Sequence, residues 1–598
     1  MCGIIGVVSD SAINPVLEGL GRLEYRGYDS SGISILENNE ILTIKSEGKL
    51  NNLKDILSKR RLHGTSCIGH TRWATHGGAT KINAHPHQCE NVSVVHNGII
   101  ENYQQLKAKL LVWGHSFKSS TDSEVIPHLI NHYLHCDLSE EEAIVKTISQ
   151  LKGSYALGIL INGERNNLYA IKQSSPLVIS EGSNGASLAS DALALGEDCN
   201  KIYFPKDNEL IKLNSDEIKL CIGSLNKKIH FVNNNGCAKI ISKEGHDTFM
   251  EKEIVEQVEL TKKLTLRTQL SEYSSIDFKS LNKITIIACG TSFYAASSAK
   301  IWFEKYANIP VEIDIASEYR YRSPIIIDNE LAVFVSQSGE TADTLAALHY
   351  ANNNDAKTLA LVNTANSSIA READFSFEIY AGPEIGVAST KAFTCQLAVF
   401  YSMAIEAAKQ RAHISKDDIA VLERDFIELP NLMAQVLSHR SDMMMMAEKI
   451  CDFKSVLFLG RGSLTSIAQE GALKLKEISY IHAEAYAAGE LKHGPIALLD
   501  NRMPVVIIAP KDNLRDKLLS NIQEVQARNA PVFIIGDSSI KEFINLKSCN
   551  FFELPLMPDS IMPIVSAIPM QLLALYCAKF LGRNIDQPRN LAKSVTVE

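Results

Sequence analysis

The side chain best placed for covalent chemistry stands almost at the start of the chain, where Cys2 follows the initiator methionine in MCGIIG. A free thiol with a pKa near ~8.5 is only a few per cent thiolate at neutral pH, so it needs a base. Removal of Met1 would supply one, because the residue's own α-amine, with a pKa of about 7.7 to 8.0, would lie beside the sulfur. The run Ile4, Ile5, Val7, Val8 reads as a buried strand able to hold that terminus rigidly. The plain alternative is a chance cysteine in front of an ordinary first strand.

Polar clusters recur downstream: LEYRGYDS at 23–30, GHTRWATHG at 69–77, NAHPH at 83–87, HNG at 96–98 and STDSE at 120–124. Each has a structural reading. Arg72 could be a surface ion pair, Asn97 with Gly98 a hairpin turn, and Asp122 the cap of a helix starting at Ser123. Together with an N-terminal cysteine they supply the groups an amide hydrolase needs. Farther on, SQSGET at 336–341 offers hydroxyls and backbone amides at a helix start, which suits a phosphate dianion, though simple capping is the alternative. APKDN at 509–513 lacks that hydroxyl cluster. Lys474 and Glu477 are three apart and share one helix face, where they could bracket a substrate or merely form a solvated face.

The elements that must position these groups follow from length and pattern. A chain of 598 residues implies three to four domains, and 45% hydrophobic with 22% charged residues reads as soluble and globular. The net charge of −9 and the lack of a basic block point to small-molecule substrates rather than nucleic acid. Twelve cysteines without a CxxC pair argue against zinc sites and disulfides, and suit a reducing cytoplasm. No signal peptide is expected, because no basic n-region precedes the short apolar start. The stretch 561–578 carries no charge but is interrupted by Pro563 and Pro569, so it reads as a buried or subunit-interface helix and not as a membrane span.

Up to Cys237 many short β-rich runs broken by Gly and Asn suggest a sandwich of antiparallel sheets with few helices. Residues 238–280 turn charged and read as a connector followed by a long amphipathic helix. After that, buried strands ending in small-residue loops that open helices occur twice, at 284–374 and 455–543, which is the pattern of two doubly wound parallel sheets.

On these residues the first region resembles the glutamine amidotransferases of the N-terminal-nucleophile type, and the chain end to end resembles the glutamine–fructose-6-phosphate aminotransferases. The resemblance implies an α+β N-terminal-nucleophile sandwich over 1–237, a linker and helix over 238–280, sugar isomerase domains over 281–425 and 450–585, and a C-terminal lid over 586–598. It implies that Cys2 attacks the glutamine amide while Asn97 and Gly98 form the oxyanion hole. Arg72 and Asp122 would hold the α-carboxylate and α-ammonium, Arg26 would order the site, Thr75 and His76 would line it, and Trp73 would gate it. In the isomerase part Ser336, Gln337, Ser338 and Thr341 would grip the sugar phosphate, with Ser292 and the backbone from Val387 to Ser389 on the sugar. Glu477 would shuttle the proton, His493 open the ring, Lys474 support substrate oxygens, Lys593 form a Schiff base, Ala592 seal the ammonia path and Arg589 anchor the lid. Neither cofactor nor metal is implied, and a cytoplasmic homodimer acting on glutamine and fructose 6-phosphate is expected, with no nucleic acid or membrane partner. Val258 departs from the family's usual proline after the EQ pair, a difference in the linker alone.

Three other readings fit the sequence less well. A metabolite sensor has no use for Cys2, Glu477 and Lys593 together. Amidotransferases with nucleotide or pyrophosphate acceptors need an SGGxDS loop or an acidic ribose motif, and neither follows residue 240. A simple amidase leaves everything after the first domain idle.

Overall fold

The computed structural model describes residues 2–596 apart from 75, 163–166, 183–184, 197–198, 215–216, 223–228, 234–241, 269–271 and 546–548. The chain forms two compact units, Met1–Ile241 with Ser594–Glu598, and Ser242–Lys593.

In the first unit an eight-stranded and a six-stranded antiparallel sheet face each other. Ile4, Val8 and Ile68 of one sheet pack with Val95, Ala156 and Leu160 of the other, so the sandwich encloses an apolar layer. Five helices of 8 to 11 residues accompany the sheets. Strand Gly3–Val8 lies inside its sheet, paired on one side with Ser66–Arg72 and on the other with Gly185–Ala189. All six of its residues are buried, which fixes Cys2 just ahead of the Gly3↔Thr71 pair and thus beside Arg72 and Trp73.

Asn97 and Gly98 do not form a turn. They lie within strand Val92–Ile100, opposite Ala156 and Tyr155 of strand Gly153–Ile161. Gly98 has φ +128°, and a Cβ there would sit 2.0 Å from the Ser154 carbonyl oxygen. Only glycine takes this backbone without strain. Asp122 is not a helix cap either: the helix begins at Val125, and the Asp122 carboxylate accepts from the Ile100 amide at 2.8 Å instead.

In the second unit two five-stranded parallel sheets have one topology. Numbered within each copy, the strand order is 2-1-3-4-5 in both. In each the order reverses between the first and third strands, Lys283–Ala288 with Glu330–Ser336 and Ser455–Gly460 with Val505–Ile508, the place where doubly wound sheets open a crevice. One core joins the copies, centred on helix Met562–Phe580, which packs against Thr465–Ser479 and Arg440–Ile450. That helix is long and apolar enough to cross a bilayer, yet its apolar window is 89% buried within the protein. The uncharged stretch is therefore consumed by the unit's own core, and its use as evidence for a subunit interface falls away.

Replacing Gly98 by alanine should cost about 1 to 3 kcal/mol in backbone strain alone. Chemical denaturation followed by circular dichroism should show an earlier unfolding transition than the parent's. An unshifted transition would mean that the strand does not hold this conformation.

Candidate active site

Of the groups predicted in the first unit, Trp73 and Asn97 bond directly to Cys2, and the Arg72 charge lies close enough to act on its thiol. Its thiol accepts a hydrogen bond from the Trp73 amide at 3.2 Å, and its carbonyl accepts one from Asn97 Nδ2 at 3.0 Å. Burial pushes the thiol pKa up, against the opposing pull of the amino terminus and the Trp73 amide. A nucleophile here needs a base at hand, which an adjacent α-amine provides.

Two residues not singled out in the sequence orient this centre. His70 Nε2 donates to the His96 carbonyl at 3.1 Å and to Asn97 Oδ1 at 3.2 Å, which turns the amide's NH2 end toward Cys2. Asp29 accepts from the Ala74 amide at 2.8 Å and holds the segment beyond Arg72. Arg72 is buried, and its guanidinium donates to the carbonyls of His76, Gly77 and Gly78. Arg26 is paired with Asp191 and donates to the Tyr25 hydroxyl. Trp73 meets Tyr28 edge-on at 5.4 Å, and His76 meets Tyr103 at 5.8 Å. Thr75 lies outside the described residues.

Behind Asn97 lie more histidines. His85 stacks on His70 at 4.3 Å and lies 6.4 Å from His96. Burial is the main cause that lowers all three imidazole pKa values, that of His70 to about 3.

In the second unit SQSGET follows strand Glu330–Ser336 and opens helix Ala342–Asn353 at the reversal point. Ser336 Oγ lies 2.9 Å from Thr341 Oγ1 and accepts from the Gly339 amide, while Ser338 Oγ accepts from the Glu340 amide. The Gln337 carbonyl accepts from the Asn363 amide. Ser292, on the helix after the neighbouring first strand, accepts from Gln396 at 2.9 Å. The equivalent loop of copy two is lined by acid: Asp537 accepts from the Lys511 amide and Asp512 from the Leu514 amide. The Lys511 and Leu514 amides are thus taken by carboxylates, which would repel a dianion.

The structure seats Lys593 among buried charges. Its side chain is 3% exposed, with Nζ 2.5 Å from Glu384 Oε2 and 2.8 Å from the Gly386 carbonyl. Glu384, fully buried, also accepts from the Thr390 and Ala392 amides and from Ser389 Oγ. Burial would raise its pKa, but Lys593 and those donors outweigh burial and hold it low. Glu253 lies beside it on helix Phe249–Thr268 and accepts from the Ile385 and Gly386 amides. Burial and the Glu384 charge push Glu253 up to about 8. The Val387 amide donates to the Asp586 carbonyl, and Ala592 is half-buried.

Lys474 Nζ is 2.6 Å from Glu477 Oε2 and 3.5 Å from Glu470 Oε1. Burial works against its charge, but these carboxylates outweigh burial and raise its pKa, so Lys474 stays an ammonium. Glu470 also accepts from Thr291 of copy one at 3.2 Å. Burial lifts the Glu470 pKa to about 8. His493 is exposed on the 488–493 turn, and among the described residues no hydrogen bond or ion pair ties it to this cluster. Arg589 packs its guanidinium 4.3 Å over the Tyr480 ring, and its amide donates to the Tyr480 hydroxyl. Glu253, Glu384 and Glu470 were missed. SKEGHDTFMEKEIVEQ, AGPEIGVAST and SIAQEGALKLKE show them as ordinary charged positions, and only burial marks them.

Fold and site together define an amidotransferase domain joined to a pair of sugar isomerase domains. Residues 72–197 match the family described as glutamine amidotransferase domain, and 277–406 and 449–578 each match the SIS domain. Over 608 residues the chain is 44% identical to a glutamine–fructose-6-phosphate aminotransferase (isomerizing) of Bartonella quintana, and over 607 residues 45% identical to that of Bartonella henselae, with 100% of each chain covered. The solved C-terminal domain of glucosamine-fructose-6-phosphate aminotransferase from Francisella tularensis matches 58% of this chain and 100% of its own, at 42% identity and a TM-score of 0.57. The chain belongs to the family of glutamine–fructose-6-phosphate aminotransferases (isomerizing).

The buried histidines carry a pH signature. The unfolded chain takes up protons on His70, His85 and His96 near pH ~6.5, whereas the folded unit refuses them. Stability should be full above that pH and fall as the medium is acidified, by up to about 1.4 kcal/mol per pH unit for each histidine. Calorimetry of the full chain between pH 7 and 4 should show the first unit's transition moving steadily down. A transition independent of pH would contradict neutral, buried imidazoles.

Proposed function

We propose that the chain converts glutamine and fructose 6-phosphate to glutamate and glucosamine 6-phosphate, an early step toward amino sugars. The observation that carries this reading is one chain holding both a half-buried N-terminal thiol beside an oriented asparagine and a lysine seated in a sugar isomerase core. The Cys2 thiol gives its proton to the α-amine, the thiolate attacks the amide carbon, and the α-ammonium passes that proton to the leaving nitrogen. Asn97 Nδ2 and the Gly98 amide stabilise the oxyanion, a contribution worth several kcal/mol when preorganised. Ammonia leaves, and water cleaves the thioester to glutamate. Arg72 and Asp122 hold the amino-acid end, and Arg72 must release its loop carbonyls to do so.

Free ammonia in neutral water is almost wholly ammonium, which has no lone pair, so the transfer needs a dry route. Trp73 and Ala592 serve as its gates. At the receiving site the phosphate rests on Ser336, Gln337, Ser338 and Thr341, with Ser292, Val387 and Ser389 against the sugar. His493 opens the ring, and Lys593 holds the open ketose as an imine after giving up its proton beside Glu384. Ammonia displaces the lysine at C2, water having been lost in forming the imine. Glu477 then carries a proton from C1 to C2, with Lys474 steadying the oxygens, a task worth roughly 10² to 10⁴ in rate. The protein acts as a homodimer in the cytoplasm.

Cys2→Ala should abolish glutamine cleavage. Lys593→Ala should keep slow cleavage but lose amino-sugar formation, and borohydride with fructose 6-phosphate should trap a mass adduct on the C-terminal peptide of the parent. An adduct on Lys474, with normal synthesis by the Lys593 variant, would overturn the assignment. Replacing Ser338 and Thr341 together by alanine should raise KM for the sugar phosphate at least ~100-fold, since bonds to a dianion contribute about 1.5 to 3 kcal/mol each. An unchanged KM would move the phosphate elsewhere.

A further inference from the structure

The first unit holds a second cluster of thiol and imidazole that the amide chemistry does not use. Cys89 ends the short strand His87–Cys89, His115 follows helix Tyr103–Val112, and His128 lies on helix Val125–Leu134. One ligating atom from each falls within 4.8 Å of those of the other two. The two Nδ1 atoms face each other at 3.1 Å. In a tetrahedral zinc site, with Zn–N of about 2.0 to 2.1 Å, two ring nitrogens stand about 3.3 Å apart.

The surroundings have the form of a metal site's outer layer. His128 turns Nε2 toward Glu124 Oε1 at 3.7 Å, which leaves Nδ1 as the ligating nitrogen, and the carboxylate that fixes this ring is itself held by the Lys118 and Ser119 amides. His115 Nε2 stands 3.4 Å from His132 Nδ1, and the His132 ring stacks on Trp113 at 4.0 Å. Cys89 is 9% exposed and His128 6%, while His115 is half-buried, so water can complete the coordination.

We propose that Cys89, His115 and His128 bind a divalent cation of the zinc class, with water as fourth ligand. A thiolate with two imidazoles and no oxygen cage selects zinc-like ions over magnesium or calcium. Binding turns the Cys89 thiol into a thiolate and releases one proton to solvent, so it is stronger at higher pH. The bound ion ties together three elements around 113–124, and it therefore clips the first unit thermally.

The test uses the full chain with Cys2→Ala, which removes the nucleophilic thiol as a competing ligand. After chelation and dialysis against Zn²⁺, elemental analysis should find about one ion per chain. Co²⁺ in its place should give the intense visible bands of a tetrahedral thiolate site, and Zn²⁺ should raise the first unit's melting temperature. Cys89→Ser and, separately, His115→Ala should lose the ion, the bands and the shift. The His115 variant, altered at a half-buried position, should melt like its parent without metal. Retention of the ion by these variants, pale octahedral cobalt spectra, or a parent that holds no ion would each overturn the site.

Discussion

The pairing of Lys593 with Glu384 inside the second unit is the interaction on which the most depends. Two ions are taken out of water there, at a cost of several kcal/mol each before their attraction is counted, and removing one partner from such a pair typically costs about 3 to 5 kcal/mol. Glu384 repays this by also accepting two backbone amides at the start of helix Lys391–Arg411. Glu253, its pKa pushed up by burial and by the Glu384 charge, accepts the amides of Ile385 and Gly386 and brings the linker helix to the same point. One buried charge thus holds the linker, the 384–391 loop and the end of the chain in register.

Much of this was legible in the sequence and some was not, for identifiable reasons. The strands of both parallel sheets are continuous apolar runs such as LAVFVS and SVLFLG, so the duplicated architecture showed itself through hydrophobic periodicity. Cys2 was legible because its position alone gives it a base. The roles of His70, Glu253, Glu384 and Glu470 were not, since a carboxylate or imidazole in a string of letters looks solvated, and the property that distinguishes these four is desolvation. For Asn97–Gly98 the structure discards the alternative of a tight turn: the dipeptide is a mid-strand pair whose glycine relieves a close approach to Ser154. The end of the chain, expected as a lid from the resemblance alone, is held by Asp586, by Arg589 on Tyr480, and by Lys593.

The two isomerase copies show how one topology divides its labour. Both reverse strand order at the same point, yet in the first the loop there presents hydroxyls and in the second it presents carboxylates that occupy the amides themselves. The second copy instead buries an ion-pair cluster on the helix that follows its first strand, where Lys474 is flanked one turn away on either side by Glu470 and Glu477. Thr291 of the first copy reaches Glu470 of the second, and Ser298 reaches Ser466 at 2.7 Å, so the two halves meet through buried polar contacts as well as the shared apolar core.

The start of the linker helix has its first two amides satisfied by the Asp586 carboxylate, at 3.0 Å each, although Phe249 and Asp586 are 337 positions apart. During synthesis on a ribosome, that helix therefore emerges without its cap and must wait for nearly all the remaining chain. Truncation from Asp586 onward removes the cap along with Lys593. Translation thus ends with the step that closes the fold, and incomplete chains lack it.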